Sequence, residues 1–446
     1  CARADKALCQ RQVFHPFHFL CSSCLMAFLP GSTLGIDFGT SNSAASLLQQ
    51  AGGTSRLLAL DANDAPIMPT ALFFNTEDHK THYGRDAVQQ YLEGVEGRLM
   101  RSLKSLLGSA LLQDKTSVHE SLVSYQDIIA MFLRHIATRV RTALGGAMPE
   151  RVVLGRPVHF VDDDPVRDRM AEDALRQAAL DAGFANISFQ LEPIAAALDY
   201  EQRMTEEALV LVVDIGGGTS DFTVVRLGPG RTGAADRSSD VLATTGVHIG
   251  GTDFDRKLNL EQVMSLLGFR HVGPKGREVP SRVFFDLSTW HLIQWQYAQK
   301  SMREAQQLRG DYADVRLHDR LMTVLNERWG HRLANTVEAA KIEASRHHAP
   351  ATIALDWLEG GLSAQITPDD LARHLDASLR QIAACAGDCL AAAGLQQQDI
   401  GAIYLTGGSS ALKPLRDVLT AVFPGVPQVE GDLFGGVASG LAYSRA

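Results

Sequence analysis

Two short stretches carry aspartate, glycine, threonine and serine in the same order: LGIDFGTSNS from Leu34 and VVDIGGGTSDFTVV from Val212. In each, an apolar run ends on an aspartate, Asp37 or Asp214, then passes through small residues into a second apolar run. Such a pattern reads as a hairpin, because glycine adopts the positive φ of a tight turn at no steric cost. Gly216, Gly217 and Gly218 in succession exceed what a turn needs. A bare backbone lets a ligand approach its N–H groups, and the ligand such groups suit best is a phosphate. Magnesium is held by about one or two carboxylates, with waters and substrate phosphates completing its shell. Asp37 and Asp214 facing one another across a cleft would meet that requirement. A single aspartate at a turn often does no more than cap it. Its recurrence in matched context favours a shared ligand.

Further candidates are weaker alone. Glu192 ends a strand just before Pro193 and a helix, where a carboxylate can orient a water for in-line attack on a phosphate or simply complement the helix dipole. Lys104, in MRSLKSLLG, can neutralise phosphate charge, although a lysine on an amphipathic helix is ordinarily solvated. AIYLTGGSSALKPLRDVL, from Ala402, gives a strand, a Gly-Gly turn and a helix, which aims backbone amides at an anion.

The elements that must position these groups also recur. FQLEPIAAALDYE from Phe189 and DLFGGVASGLAYS from Asp432 both run from an extended segment through a turn into a small-residue helix. Two echoes in the same order predict two similar lobes, centred on Asp37 and Asp214. Arg151 to Phe160 reads as a buried strand ended by Pro157, and the helical stretch after it is stopped by Gly183. STWHLIQWQYAQKSMREAQQLR, from Ser288, predicts one long helix within an inserted helical subdomain. RLGPGRTGAADRSSD, from Arg226 to Asp240, has the composition of an exposed loop. Cys385 and Cys389, four apart on a helical pattern, read as buried thiols.

With 446 residues, 45% hydrophobic and 21% charged, the chain has length for more than one packed core. A formal charge of -9 argues against nucleic-acid binding by phosphate neutralisation. No run of about eighteen uncharged apolar residues occurs, so no membrane span is expected. The first residues stand apart, with Cys1, Cys9, Cys21, Cys24, His15 and His18. Their spacing could be read as a zinc site, and the stretch as a secretory signal. The preferred reading is an N-terminal extension, 1–33, partly upstream of the working protein, since Met26 precedes the first strand and position 1 is not Met. Nothing suggests a disulfide framework, and a cytoplasmic location is expected.

Taken together, LGIDFGTSNS, MRSLKSLLG, LEPIAAALDY, VVDIGGGTSDFTVV, GVHIGGTDFD and IYLTGGSSALKPLRDVL resemble, in order, the nucleotide-binding part of the Hsp70 (DnaK-type) chaperones. Within that family the chain resembles the shortened YegD-like chaperones. The resemblance implies an α/β, two-lobed actin-like ATPase fold, a duplicated ribonuclease-H-like core with inserted subdomains. Lobe I would span 34–206 and lobe II 207–446, with a helical insert at about 258–394. It also implies ATP or ADP with Mg²⁺ as cofactors. Asp37 and Asp214 would lie on the Mg²⁺ hydration shell, with Glu192 acting through its waters. Thr40 and Thr219 would meet the phosphates, within a cradle of Gly39, Ser41, Asn42, Gly216, Gly217, Gly218, Gly250 and Gly251. Lys104 would contact the γ-phosphate or the attacking water. Glu338, Lys341 and Ser345 would hold ribose and adenine, opposite Gly407, Gly408 and Ser409.

The chain also departs from that pattern. Ile342 and Ala411 stand where the family places arginines near the base, which removes a cation–π contribution of up to ~2 kcal/mol. Either Asp432 or Phe434 takes the place of a nucleotide-facing aspartate. After GLAYSRA no β-rich peptide-binding domain is expected, so unfolded proteins or co-chaperones would have to meet the ATPase lobes, around Trp290 and Trp295. The function implied is a slow, Mg²⁺-dependent, chaperone-type ATPase. A small-molecule kinase, an actin-like filament protein and a nucleotide-holding module without turnover are the alternatives.

Overall fold

The computed structural model describes residues 28–50, 53–161, 164–231, 234, 236–290 and 292–444. The cysteines and histidines of the N-terminal stretch lie outside the described residues. The first strand begins at Phe28, inside the stretch read as an extension.

Both glycine-rich runs fold as antiparallel hairpins. Strand Phe28–Phe38 pairs with Asn42–Leu48 with Phe38 opposite Ser43, which leaves Gly39, Thr40 and Ser41 at the tip. Strand Ala208–Ile215 pairs with Ser220–Leu227 with Ile215 opposite Ser220, and its tip is Gly216 to Thr219. The first strand of each hairpin also has a parallel neighbour, Met148–Arg156 in one case and Ile400–Thr406 in the other. The result is a six-stranded and a five-stranded sheet of like construction. Parallel neighbours require long crossovers. Helix Tyr125–Ala143 precedes Met148–Arg156, and helix Pro165–Asp181 then leads to the next parallel strand, Ile187–Leu191.

Side chains alternate across a strand, so a strand covered on both faces must be apolar throughout. Leu211, Val213 and Ile215 enter one core while Val210 and Val212 enter another. That second core joins the two sheets: Val153 of the first and Val210 of the second share it with Ile194 and Leu441. The echo seen in the sequence is a pair of helices crossing there, Glu192–Glu201 and Gly436–Tyr443. They approach so closely that a Cβ at Gly440 would lie 1.8 Å from the Ala195 carbonyl oxygen. Glycine is required at this crossing.

Two expectations need correction. Ser288 to Arg309 is not one helix. Helix Arg282–Ser288 ends at its start, a single tight turn covers Ile293–Tyr297, and a new helix, Gln299–Gln307, follows an extended Ala298. Tertiary packing overrides the helical period: Ile293 is fully buried, whereas Trp295 two residues on is 62% exposed. The stretch Arg226 to Asp240 is also more than an exposed loop. Arg237, with only 2% of its side chain exposed, donates to both Glu201 oxygens at 2.8 and 2.9 Å and to Asp240. The loop is pinned to the end of helix Glu192–Glu201. Cys389 is buried and Cys385 half-buried, in accord with their reading as core thiols. Among the described residues no helix is long and apolar enough to cross a membrane.

Candidate functional site

The two hairpin tips meet. A Cβ at Gly217 would lie 2.3 Å from the Ser41 hydroxyl oxygen, so the turn of one sheet touches the turn of the other. Around this contact the remaining glycine runs close in. The N–H of Gly251 donates to the Gly216 carbonyl at 3.0 Å, and that of Thr252 to the Gly217 carbonyl at 2.8 Å. A Cβ at Gly250 would fall 2.7 Å from the Gly217 carbonyl oxygen, and one at Gly251 2.5 Å from Ser409 Oγ. Gly407, at φ +78, has space for a side chain only 2.3 Å from Asp214 Oδ1. Its glycine is doubly determined, by conformation and by proximity. Thr40, Asn42, Gly218 and Gly408 are exposed at the rim, while Gly39 is half-buried. Thr219 donates its hydroxyl to Asp221 Oδ2 at 2.8 Å.

Asp37 and Asp214 occupy equivalent places, each the last-but-one residue of its strand. Lys104 does not sit on an amphipathic helix. It lies in a short turn, Leu103–Leu106, that follows Ser102 at φ 56. Only 11% of its side chain is exposed, and its Nζ is 2.5 Å from Glu192 Oε1. Gly155 makes room beneath that carboxylate, since a Cβ there would be 3.0 Å from Glu192 Cγ.

Asp37, Lys104 and Asp214 each respond electrostatically to charged neighbours in this cluster. Burial pushes Asp37 up to about 7, with Glu192 and then Asp214 adding and Lys104 opposing. Burial likewise pushes Asp214 up to about 7, with Asp221 and Glu192 adding. For Lys104, burial acts to lower its value, but Glu192, Asp37 and Asp214 outweigh it and hold the ammonium above its ordinary range. Asp221 is a fourth carboxylate, also raised by burial, which the motif reading missed. The signal was present in the hairpin register, which sets Asp221 directly opposite Asp214. With all four carboxylates ionised, a single ammonium would leave an excess of negative charge. A divalent cation would relieve it, so the donor set fits Mg²⁺.

On the far side, Glu338, Lys341 and Ser345 share helix Gly330–His347. Glu338 is exposed. Lys341 is buried and paired with Asp255 at 2.7 Å; burial pushes Asp255 up to about 6 against the pull of Lys341. Asp255 was also missed. The Ser345 hydroxyl is buried and has no hydrogen-bond partner among the described residues, and Ile342 is 44% exposed. Asp432 Oδ1 accepts from the N–H groups of Phe434 and Gly435 at 3.2 and 3.1 Å, which occupies it in its own turn. The ring of Phe434, not Asp432, stands against Gly408.

Trp290 is half-buried and packed from two sides. The Arg101 guanidinium lies over its ring at 4.6 Å, and His331 packs edge-on at 4.6 Å. His331 in turn meets the Tyr91 hydroxyl at 2.8 Å, bridging the first lobe and the insert.

Comparison with known proteins agrees with this geometry. The family model described as Hsp70 protein matches residues 33–265, just over half of the chain. The chain belongs to the Hsp70 family. The matched region is the nucleotide-binding part, and the duplicated sheets are the actin-like ATPase fold of Hsp70 proteins. The chain is 30% identical over 227 residues to the chaperone protein DnaK of Thermotoga petrophila, of Thermotoga maritima and of Thermosipho melanesiensis. These matches cover 50% of this chain and 34% of each DnaK, so the chain matches about a third of its Hsp70 relatives' length.

Proposed function

We propose that this chain binds Mg·ATP between its two lobes and hydrolyses it slowly by in-line attack of water, as a chaperone-type ATPase. The observation that carries the reading is the contact of Ser41 with Gly217, which brings two acid-tipped hairpins to one point. The lobes, 34–206 and 207–446, act as the walls of the cleft, and the insert at about 258–394 closes over it. Asp37 would hold the metal, with Asp214 and Glu192 reaching it through water, and Mg²⁺ when bound would supply positive charge to the phosphate oxygens. Gly217, Gly218 and Thr219 present backbone amides to the phosphates, Gly216 closing the turn with its N–H on the Thr219 carbonyl at 2.9 Å, and Gly39, Thr40, Ser41 and Asn42 face them from the other tip. Gly250, Gly251, Gly407, Gly408 and Ser409 complete the cradle.

Lys104 supplies the chemistry that the chain itself contributes. Its pairing with Glu192 at 2.5 Å fixes the ammonium where charge develops on the transferring phosphoryl group. The Glu192 carboxylate orients the attacking water. Glu338, Lys341 and Ser345 hold the nucleoside, Lys341 being stiffened by Asp255. Unfolded proteins or co-chaperones are the proposed partners, and the surfaces open to them include the exposed Trp295. The test is calorimetric titration with ATP, ADP and GTP, with and without Mg²⁺, followed by phosphate release. Lys104→Ala should lower turnover by about 10²–10³-fold, the usual effect of deleting a preorganised donor. Unchanged phosphate release would remove the proposed role.

A further inference from the structure

Phe434 is 49% exposed, yet the turn that carries it is held in a specific place by hydrogen bonds. Asp432 fixes its backbone through the N–H groups of Phe434 and Gly435, and the Gly436 N–H donates to the Asp432 carbonyl at 3.0 Å. A Cβ at Gly435 would lie 2.5 Å from Leu57 Cδ1, so the turn is wedged against the edge of the first sheet. The Phe434 ring rests on Gly408, where a Cβ would meet ring carbons at 2.6 and 2.9 Å. Gly408 is therefore small because the ring is there. Its neighbours tie the ring to the site: Gly407 abuts Asp214 Oδ1, and Ser409 abuts Gly251, which bonds the Gly216 carbonyl. An exposed aromatic ring thus stands against Gly408 of the proposed cradle, one residue along the chain from the glycine that abuts Asp214.

We propose that Phe434 is a stacking platform for the nucleobase. The inference rests on the nucleotide-binding reading above and adds a specificity determinant to it. Neither Ile342 nor Ala411 can lay a guanidinium on a base, and the exposed face of Phe434 supplies a π-surface instead. Every base presents a π-face to an aromatic ring, so stacking of this kind is tolerant of base identity. The site should therefore accept adenine and guanine nucleotides with similar affinity.

Calorimetric titration of the full chain with Mg·ATP, Mg·GTP and Mg·tripolyphosphate, which has no base, tests this. Phe434→Ala should weaken ATP and GTP alike by about 10- to 100-fold, the loss expected for one base–aromatic stack. It should leave tripolyphosphate binding unchanged, and Phe434→Tyr should restore the nucleotides. Phe434→Trp should in addition show fluorescence quenching on ATP addition and none on tripolyphosphate. Unchanged ATP affinity in Phe434→Ala would overturn the proposal while leaving the cleft reading intact. Equal loss of tripolyphosphate would overturn it by showing that the ring merely supports the turn. If the unaltered chain bound neither ATP nor tripolyphosphate, the cleft reading would fall first and this one with it.

Discussion

A methyl group at Gly217 tests the meeting of the two tips. The ideal Cβ lies 2.3 Å from Ser41 Oγ and 3.4 Å from Ser41 Cβ. The first distance is far inside van der Waals contact, and the second is ordinary. Gly217 does not have the positive φ that would strain an alanine, so Gly217→Ala perturbs by steric overlap alone. Overpacking of this kind costs about 1–3 kcal/mol. The clash falls on a single atom, and Ser41→Ala deletes it. In a double-mutant cycle, Gly217→Ala should weaken Mg·ATP binding by about tenfold, and Ser41→Ala/Gly217→Ala should recover most of that loss. The coupling should be about 1–2 kcal/mol, within the range for residues in contact. Titration calorimetry reads the affinities, and thermal melts on the same four proteins show whether the overlap is borne by the fold or by the cleft. Strict additivity would mean that Ser41 and Gly217 do not touch, and the common site would lose its main support.

Two further outcomes follow from buried charge. Burial pushes His331 down to about 4, with Arg101 adding to the effect and the Trp290 carbonyl opposing. Because its folded value lies below the ordinary 6.5, the neutral ring's contribution is fully present above that pH. It is lost as pH falls towards 4, by up to about 3 kcal/mol at 1.36 kcal/mol per unit. Thermal melts of the unaltered chain should drop in that window, and His331→Gln should flatten the drop; parallel profiles would refute the assignment. Arg237→Met leaves Glu201 a buried carboxylate without its ion-pair partner, while Asp240 keeps Arg231, and should cost about 3–5 kcal/mol in urea unfolding. A loss under about 1 kcal/mol would place that cluster in water.

The parts of the site that were legible in the sequence are those made by local chemistry. Apolar runs ending on Asp37 and Asp214, followed by small-residue turns, specify hairpins with acidic ends whatever surrounds them. Lys104 was not legible in this way, because its partner Glu192 is 88 residues away. Asp221 could have been found from the hairpin register, but alternation along one strand does not show what stands opposite. The inward pairing of Arg237 with Glu201 is invisible to composition, which registers only the glycines and serines of the surrounding loop. The break between Ser288 and Arg309 arises from what Ile293 must bury, a property of the neighbouring helices and not of the run itself. Phe434 was legible as a departure, and its place against Gly408 required the fold.

The central claim is that both hairpin tips serve one triphosphate and one metal ion. A structure of the chain with a non-hydrolysable ATP analogue and Mn²⁺ in place of Mg²⁺ tests it most directly. An anomalous peak between Asp37 and Asp214, with phosphates lying against Gly216 to Thr219, is the result predicted. A metal bound elsewhere, or an analogue held away from those turns, would contradict it.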